Sequence, residues 1–403
     1  MLRFTVAVAA GGVVGLLAGL AMAALGARTV GYVAAITLAG WSAAVAVTWR
    51  SAPHAGWSIA AVVAPLGATL IVAAPRPYAA GPDRLSAPSS FRTDDGQVIA
   101  YQEFHPPSAD GAVPMVFLNG GPGVSTRSQD TSWLTGISRT RSVVVYDQVG
   151  AGDSSRLHDP TGYTLKRARQ DLEQVRRHLD LDRMILVGHS WGAVVAAEYV
   201  AHHPHHVEAF IALAPGALTP GVDVADDPSV RLRGADRARL LGRLLRPREL
   251  YAYGLATIDV HVAHRVAGDD EMDRRYDAIL RAVWPAMFCD ASLAKDLPAP
   301  RGGFYANHVG QQAARDVVDV PVADPPATLV VKPQCDYLSW SVVDGYVDDL
   351  AAQVAYVPGA GHAVHLEQPG DVAEVLEDFV AGRTPGGLLE APKTVPATFR
   401  GPP

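Results

Sequence analysis

The stretch Met184-Ile185-Leu186-Val187-Gly188-His189-Ser190-Trp191-Gly192 constrains the fold of this chain more than any other. Four apolar residues run into Gly-x-Ser-x-Gly, and the small-residue run Ala193-Val194-Val195-Ala196-Ala197 follows at once. The pattern predicts a buried strand, a sharp turn and a helix. Glycines on both sides of Ser190 leave room for a serine on a strained backbone, with nothing bulky beside it. Such a turn is a nucleophile elbow, which lifts the hydroxyl above the sheet. The first N–H groups of the following helix, and its dipole, favour negative charge developing beside that hydroxyl.

Strand and helix patterns alternate on either side of the elbow. Residues 91–104 hold two strand-like pieces around the turn signal Asp94-Asp95-Gly96. The short apolar strand 113–118 ends in Asn119-Gly120-Gly121-Pro122-Gly123, ahead of a helix expected over 125–137. A loop so rich in glycine frees backbone N–H groups to face a ligand. A strand over 142–146 leads into Asp147-Gln148-Val149-Gly150-Ala151-Gly152-Asp153-Ser154, where Asp147 is expected to organise the loop. An amphipathic helix follows over 165–179, with Leu172, Val175 and Leu179 on one face. After a strand at 208–214 the rhythm stops, and residues 215–318 read as an all-helical insert, expected to form a lid. Alternation resumes with strands at 328–331 and 353–357 and a closing helix over 371–380. This order predicts an α/β fold, a mostly parallel sheet with helices on both faces and its site at the carboxyl ends of the strands.

Ser190, Asp336 and His362 each fall just past an expected strand end. A serine hydroxyl is a poor nucleophile until a neutral imidazole takes its proton, and that imidazole needs a carboxylate to fix its tautomer. The expected catalytic residues are therefore Ser190 as nucleophile, His362 as base and Asp336 as the orienting acid. The N–H groups of Gly121 and Trp191 are the expected oxyanion hole. His365 is a competing base, and Asp344 and Asp324 are competing acids. Asp344 falls inside a helix pattern and Asp324 precedes its strand, and both placements favour Asp336. His189 adjoins the serine but should point sideways from the elbow. The run His202-His203-Pro204-His205-His206 reads as a solvated helix end, since adjacent histidines diverge and Pro204 breaks the helix. No metal or cofactor is expected.

The first eighty residues differ from the rest of the 403-residue chain. Uncharged apolar runs cover 4–26, 30–49 and 57–74, with Arg28, Arg50 and Arg76 between and after them. Each is long enough, or nearly so, to cross a hydrocarbon core of about 30 Å as a helix. A cleaved signal peptide ending near Ala21-Met22-Ala23 competes for the first run alone. The expected organisation is a membrane anchor of three transmembrane helices at 1–76, a linker at 77–90 rich in Pro, Ala, Gly and Ser, a domain at 91–383 and a tail at 384–403. Membrane lipid is then a partner, the protein is multi-pass, and the side facing the domain is left open. A net charge of −7 with acids and bases well mixed excludes a nucleic-acid surface. The two cysteines, Cys289 and Cys335, permit one disulfide and no disulfide framework.

From residue 91 to 383 the chain resembles the α/β-hydrolases, and it is most similar to the proline iminopeptidase (prolyl aminopeptidase) branch. That branch carries His-Gly-Gly-Pro-Gly where this chain has Asn119-Gly120-Gly121-Pro122-Gly123. It carries Asp-Gln-Arg-Gly-x-Gly-x-Ser where this chain has the loop 147–154, with Val149 in place of arginine. Its elbow is Gly-Gly-Ser-Trp-Gly, and His189 stands here for the second glycine. The closing Gly361-His362-x-x-His365-Leu366-Glu367-Gln368-Pro369 is typical of the wider superfamily. The resemblance implies removal of an amino-terminal residue from a short peptide, with no metal and no cofactor. The combined expectation is a membrane-anchored serine hydrolase that cleaves a small amide or ester through an acyl-enzyme, aminopeptidase-like. A carboxylesterase or lipase-like enzyme is the alternative among enzymes. A non-catalytic membrane sensor using the same pocket is the alternative of another class.

Overall fold

A computed structural model describes residues 89–105, 111–125, 132–137, 140–218, 227–313 and 324–402. The three apolar runs and the 77–88 part of the linker lie outside the described residues. Among the described residues, no helix is long and apolar enough to cross a membrane.

The strands are β1 (Ser89–Arg92), β2 (Val98–Phe104), β3 (Met115–Leu118), β4 (Val124–Ser125), β5 (Val143–Tyr146), β6 (Met184–His189), β7 (Val207–Leu213), β8 (Arg301–Gly302), β9 (Ala327–Cys335) and β10 (Gln353–Gly361). The helices are α1 (Ser132–Ile137), α2 (Leu165–His178), α3 (Trp191–His202), α4 (Gly234–Leu244), α5 (Pro247–Ile258), α6 (Val260–Val266), α7 (Asp269–Val283), α8 (Phe304–Ala313), α9 (Val342–Leu350), α10 (Val364–Glu367) and α11 (Pro369–Val380). The chain divides into two compact units.

The larger unit holds an eight-stranded sheet in the order β1-β2-β5-β3-β6-β7-β9-β10. Strands β1 and β2 are antiparallel, β2 meets β5 antiparallel, and every later pairing in this sheet is parallel. Every residue of β6 is buried, as expected of a parallel strand covered on both faces. Phe117, Val145, Ile185, Val187, Ile211, Leu329 and Val331 meet Trp284 and Phe288 in the core on one side of the sheet. Helix α2 starts where the Thr164 side chain accepts the Arg167 N–H, and it buries Leu172 and Val175. A shared polarity follows. The carboxyl ends of β3, β6, β9 and β10 lie together, and residues 119, 190, 336 and 362 follow those ends directly.

Two stretches go further than the sequence pattern indicates. Strand β9 does not stop at residue 331 but continues through Lys332, Pro333 and Gln334 to Cys335. Residues 384–402 pack on the domain rather than trailing from it. Leu388 bridges Ala355 antiparallel, and the Tyr356 N–H donates to the Gly387 carbonyl at 2.9 Å. The outer edge of β10 is thereby partly covered, which blunts an otherwise open sheet edge.

The described part of the smaller unit is residues 159–161 and 241–272. Its α5 is fastened by a buried fork to the first turn of α7 and to the end of α6. Arg248 Nε and Nη2 donate to the two Glu271 carboxylate oxygens at 2.8 and 2.7 Å, and Nη2 also donates to the Val266 carbonyl.

Candidate active site

The elbow has the predicted form. Ser190 sits between β6 and α3 with φ 53° and ψ −117°, a left-handed backbone that a non-glycine residue adopts only under constraint. The constraint comes from tight packing. A Cβ on Gly188 would lie 2.5 Å from Ala193 Cα, and one on Gly192 would lie 2.2 Å from the Leu118 carbonyl oxygen. The turn is pinned by the Ser190 N–H on the Leu213 carbonyl at 3.0 Å and by the Gly216 N–H on the Ser190 carbonyl at 3.1 Å.

His362 and Asp336 meet beside it. The His362 Nδ1–H donates to Asp336 Oδ1 at 2.8 Å, so Nε2 is the ring nitrogen left with a lone pair. Asp336 is fully buried and takes two further donors, the Leu338 N–H on Oδ1 at 3.2 Å and the Lys332 ammonium on Oδ2 at 2.9 Å. Burial alone would raise its carboxyl, but the Lys332 charge and His362 reverse that and hold it below the usual carboxylate range. Tyr337 lies beside Ser190, and its ring is 4.4 Å from the His362 ring. Among the described residues, no hydrogen bond joins Ser190 to His362.

The other histidines of the region are not equivalent to His362. His189 Nε2–H donates to the His362 carbonyl at 2.9 Å and so braces the backbone of that loop. Burial, with the nearby His362, pushes the His189 imidazole down to about 3, so it is neutral at ordinary pH. His365 packs among Phe117, Trp133 and His189, and burial holds it well below the normal range too. Neither touches Asp336. The loop carrying His362 is held by Glu367, whose carboxylate accepts the N–H groups of Gly361, Cys289 and Asp290 at 2.6 to 2.8 Å. Cys289 and Cys335 form a disulfide, which ties that neighbourhood to the residue preceding Asp336.

The glycine loop passes against Ser190. A Cβ on Gly120 would lie 3.1 Å from Ser190 Cβ. Gly121 has φ +124°, and a Cβ there would lie 2.8 Å from the Val124 nitrogen. Gln148 links this loop to the elbow: its Nε2 donates to the Asn119 carbonyl at 2.9 Å, and its Oε1 accepts from Trp191 Nε1 at 3.2 Å. Asn119, where the similar family has histidine, donates to the Tyr146 carbonyl at 2.9 Å. From the far side, Asn307 Nδ2 donates to the Pro122 carbonyl at 2.8 Å and the Gly303 N–H to the Gly123 carbonyl at 2.7 Å.

Residues 113–239 match the alpha/beta hydrolase fold family. The chain has the alpha/beta hydrolase fold, with a mostly parallel sheet. A proline iminopeptidase from Heyndrickxia coagulans is 36% identical over 125 residues, which is 31% of this chain and 42% of that protein. One from Lactobacillus helveticus is 37% identical over 100 residues, 24% of this chain and 34% of that protein. The chain thus spans less than half the length of these curated relatives. Among solved structures, an alpha/beta hydrolase fold protein from Chitinophaga pinensis superposes with a TM-score of 0.50 at 15% identity, over 73% of this chain and 98% of that one. An esterase from Exiguobacterium antarcticum gives 0.50 at 15% identity, over 73% and 99%. These two likenesses concern the fold alone.

Within this fold, the residues singled out from sequence come to one end of the sheet: Ser190, His362 and Asp336, with Trp191 next to Ser190 and Gly121 in the adjoining glycine loop. The competing acid Asp344 lies in α9, away from His362. Asp147 is a loop organiser, its Oδ2 accepting the Asp153 N–H at 2.9 Å. The histidines at 202–206 face different partners, His202 the Glu198 carbonyl and His206 the Asp182 carbonyl. Sequence reasoning missed Lys332, Tyr337, Gln148 and Glu367. Lys332 had a visible signal, as a lone charge inside the apolar run leading to Asp336.

Proposed function

We propose that this protein is a membrane-anchored serine hydrolase that cleaves a small amide or ester through an acyl-enzyme, in the manner of an aminopeptidase. The observation that carries this reading is Ser190 on a strained elbow beside an Asp336–His362 pair whose free nitrogen is Nε2. In the reaction, the Ser190 hydroxyl donates to His362 Nε2 as substrate enters. His362 takes the proton while Ser190 Oγ attacks the carbonyl carbon, and the N–H groups of Trp191 and Gly121 receive the oxyanion. His362 then gives the proton to the leaving amine or alcohol, and water releases the acyl group by the same steps. Asp336 keeps the tautomer throughout. The motif likeness to the proline iminopeptidases supports an amino-terminal residue of a short peptide as the acyl part.

The apolar runs at 4–26, 30–49 and 57–74 support multi-pass anchoring in lipid. The Cys289–Cys335 disulfide supports a domain facing an oxidising compartment, outside the cytosol. The test uses detergent-solubilised full-length protein. A fluorophosphonate probe is expected to label the wild type and not Ser190→Ala, and aminoacyl arylamides are expected to be cleaved alongside short aryl esters. Folded wild type that stays unlabelled refutes the serine mechanism. Ester turnover with no arylamide cleavage refutes the aminopeptidase assignment.

A further inference from the structure

Behind the Asp336 carboxylate lies a lysine that an Asp–His pair does not require. Lys332 is fully buried in strand β9, four residues before Asp336, which directly follows that strand. Its ammonium donates to Asp336 Oδ2 at 2.9 Å and to the Leu338 carbonyl at 3.0 Å. The Phe399 ring lies under the ammonium, its centroid 5.7 Å away. Phe399 belongs to the carboxyl-terminal tail, which is seated over β9. The Arg400 N–H donates to the Gln334 carbonyl at 2.8 Å, Gln334 Nε2 to the Thr398 carbonyl at 2.9 Å and the Trp340 N–H to the Pro402 carbonyl at 2.9 Å. Gly401 passes so close that a Cβ there would lie 2.2 Å from the Asp336 carbonyl oxygen. The amine is thus shut away from water with one carboxylate as its counter-charge. Burying an ammonium is costly, and an enclosed one is retained where its charge is used or matched.

We propose that Lys332 is a positioning residue for the hydrolase: it holds Asp336 Oδ2 so that Oδ1 stays on His362, and its charge opposes a second positive charge on the imidazole. The proposal rests on the serine mechanism above. The two carboxylate oxygens are divided between two partners, so Asp336 cannot rotate away from His362 without losing Lys332. The lysine charge reaches His362 through one carboxylate only. Removing it leaves the Asp336 carboxylate without its fixed counter-charge, which makes proton uptake by the site as a whole easier. The other titratable groups facing His362 are His189 from β6, Tyr337 after β9, and His365 and Glu367 from α10. Neither neutral histidine supplies a competing charge.

The experiment measures the rate of fluorophosphonate labelling against pH for wild type, Lys332→Met and Lys332→Gln, each checked by thermal melting. Both variants lose the charge, and glutamine keeps a donor for Oδ2. The acidic limb of the profile is expected to move to higher pH by on the order of one unit in both. The plateau rate is expected to fall further in Lys332→Met than in Lys332→Gln. A limb that stays in place in both folded variants, with wild type labelled, overturns the role of Lys332 and leaves the serine mechanism standing. Wild type unlabelled at every pH refutes the mechanism itself and this proposal with it. Should neither single variant fold, Lys332→Met combined with Asp336→Asn decides, since that pair buries no net charge. A double variant that folds supports the neutralising contact, and one that fails as the singles do overturns it.

Discussion

Replacing both Cys289 and Cys335 by serine should weaken the domain chiefly through its unfolded state. The bond joins residues 46 apart in sequence. Closing a loop of that length removes about 14 cal/mol/K from the unfolded chain, or ~4 kcal/mol at 25 °C. On the folded side, the contacts around the bond do not depend on it. Glu367 still accepts the N–H groups of residues 289, 290 and 361, and the Ala363 N–H still donates to the Met287 carbonyl at 3.0 Å. The double variant should therefore keep its fold and its labelling rate at 25 °C while losing roughly 2–4 kcal/mol. In a domain of this size that corresponds to a fall in Tm of roughly 3–6 °C. Guanidinium unfolding followed by tryptophan fluorescence gives the midpoint and slope, and wild type unfolded with excess dithiothreitol should match the double variant. A loss below about 1 kcal/mol, or a clear difference between reduced wild type and the double variant, would refute the loop-closure account.

Three further outcomes follow from particular contacts. Asp336→Asn should cut arylamide turnover by roughly 10⁴-fold through the wrong His362 tautomer, with KM little changed, and a fully active variant would remove Asp336 from the site. Gly192→Ala places a methyl 2.2 Å from the Leu118 carbonyl oxygen, which is sheet backbone and cannot yield. It should cost ~3 kcal/mol or more in chemical denaturation, or prevent folding outright. Glu173 supplies a pH dependence. Burial would raise its carboxyl, but hydrogen bonds from Arg176 and Tyr199 outweigh that and bring it down from 4.5 to about 2. The unfolded chain therefore binds the extra proton first, and the stability this group gives is complete above about 4.5 and is lost as pH falls toward 2. Urea midpoints at pH 6 and pH 3 should converge in Glu173→Gln relative to wild type, and an unchanged gap would show that other groups carry the acid sensitivity.

How much of this was legible in the sequence depends on the range over which each feature is determined. The elbow could be read because every requirement is local: a strand of four apolar residues, two glycines and a run of small residues within 14 positions. The packing confirms why those glycines stand where they do, since a side chain at either would strike Ala193 or the Leu118 carbonyl. Asp336 and His362 could be read from their place after strand ends, because a parallel sheet gathers those ends at one edge. The reach of β9 could not. Lys332, Pro333 and Gln334 look like a loop by composition, and Lys332 lies in the sheet because Asp336 neutralises it four residues on. The tail was equally opaque. Phe399 and Gly401 have no local pattern, and they find their partners at Lys332 and Asp336 only after the sheet has formed. The disulfide belongs to the same class, since two cysteines 46 residues apart leave pairing open until the fold brings their Cα atoms to 5.2 Å. All three converge on one carboxylate. The Ser190 turn depends on glycines within two residues of it, whereas Asp336 is held by Lys332 of the preceding strand and enclosed by a tail some sixty residues later. Substitutions that disturb Asp336 should therefore reach from residue 332 to residue 402.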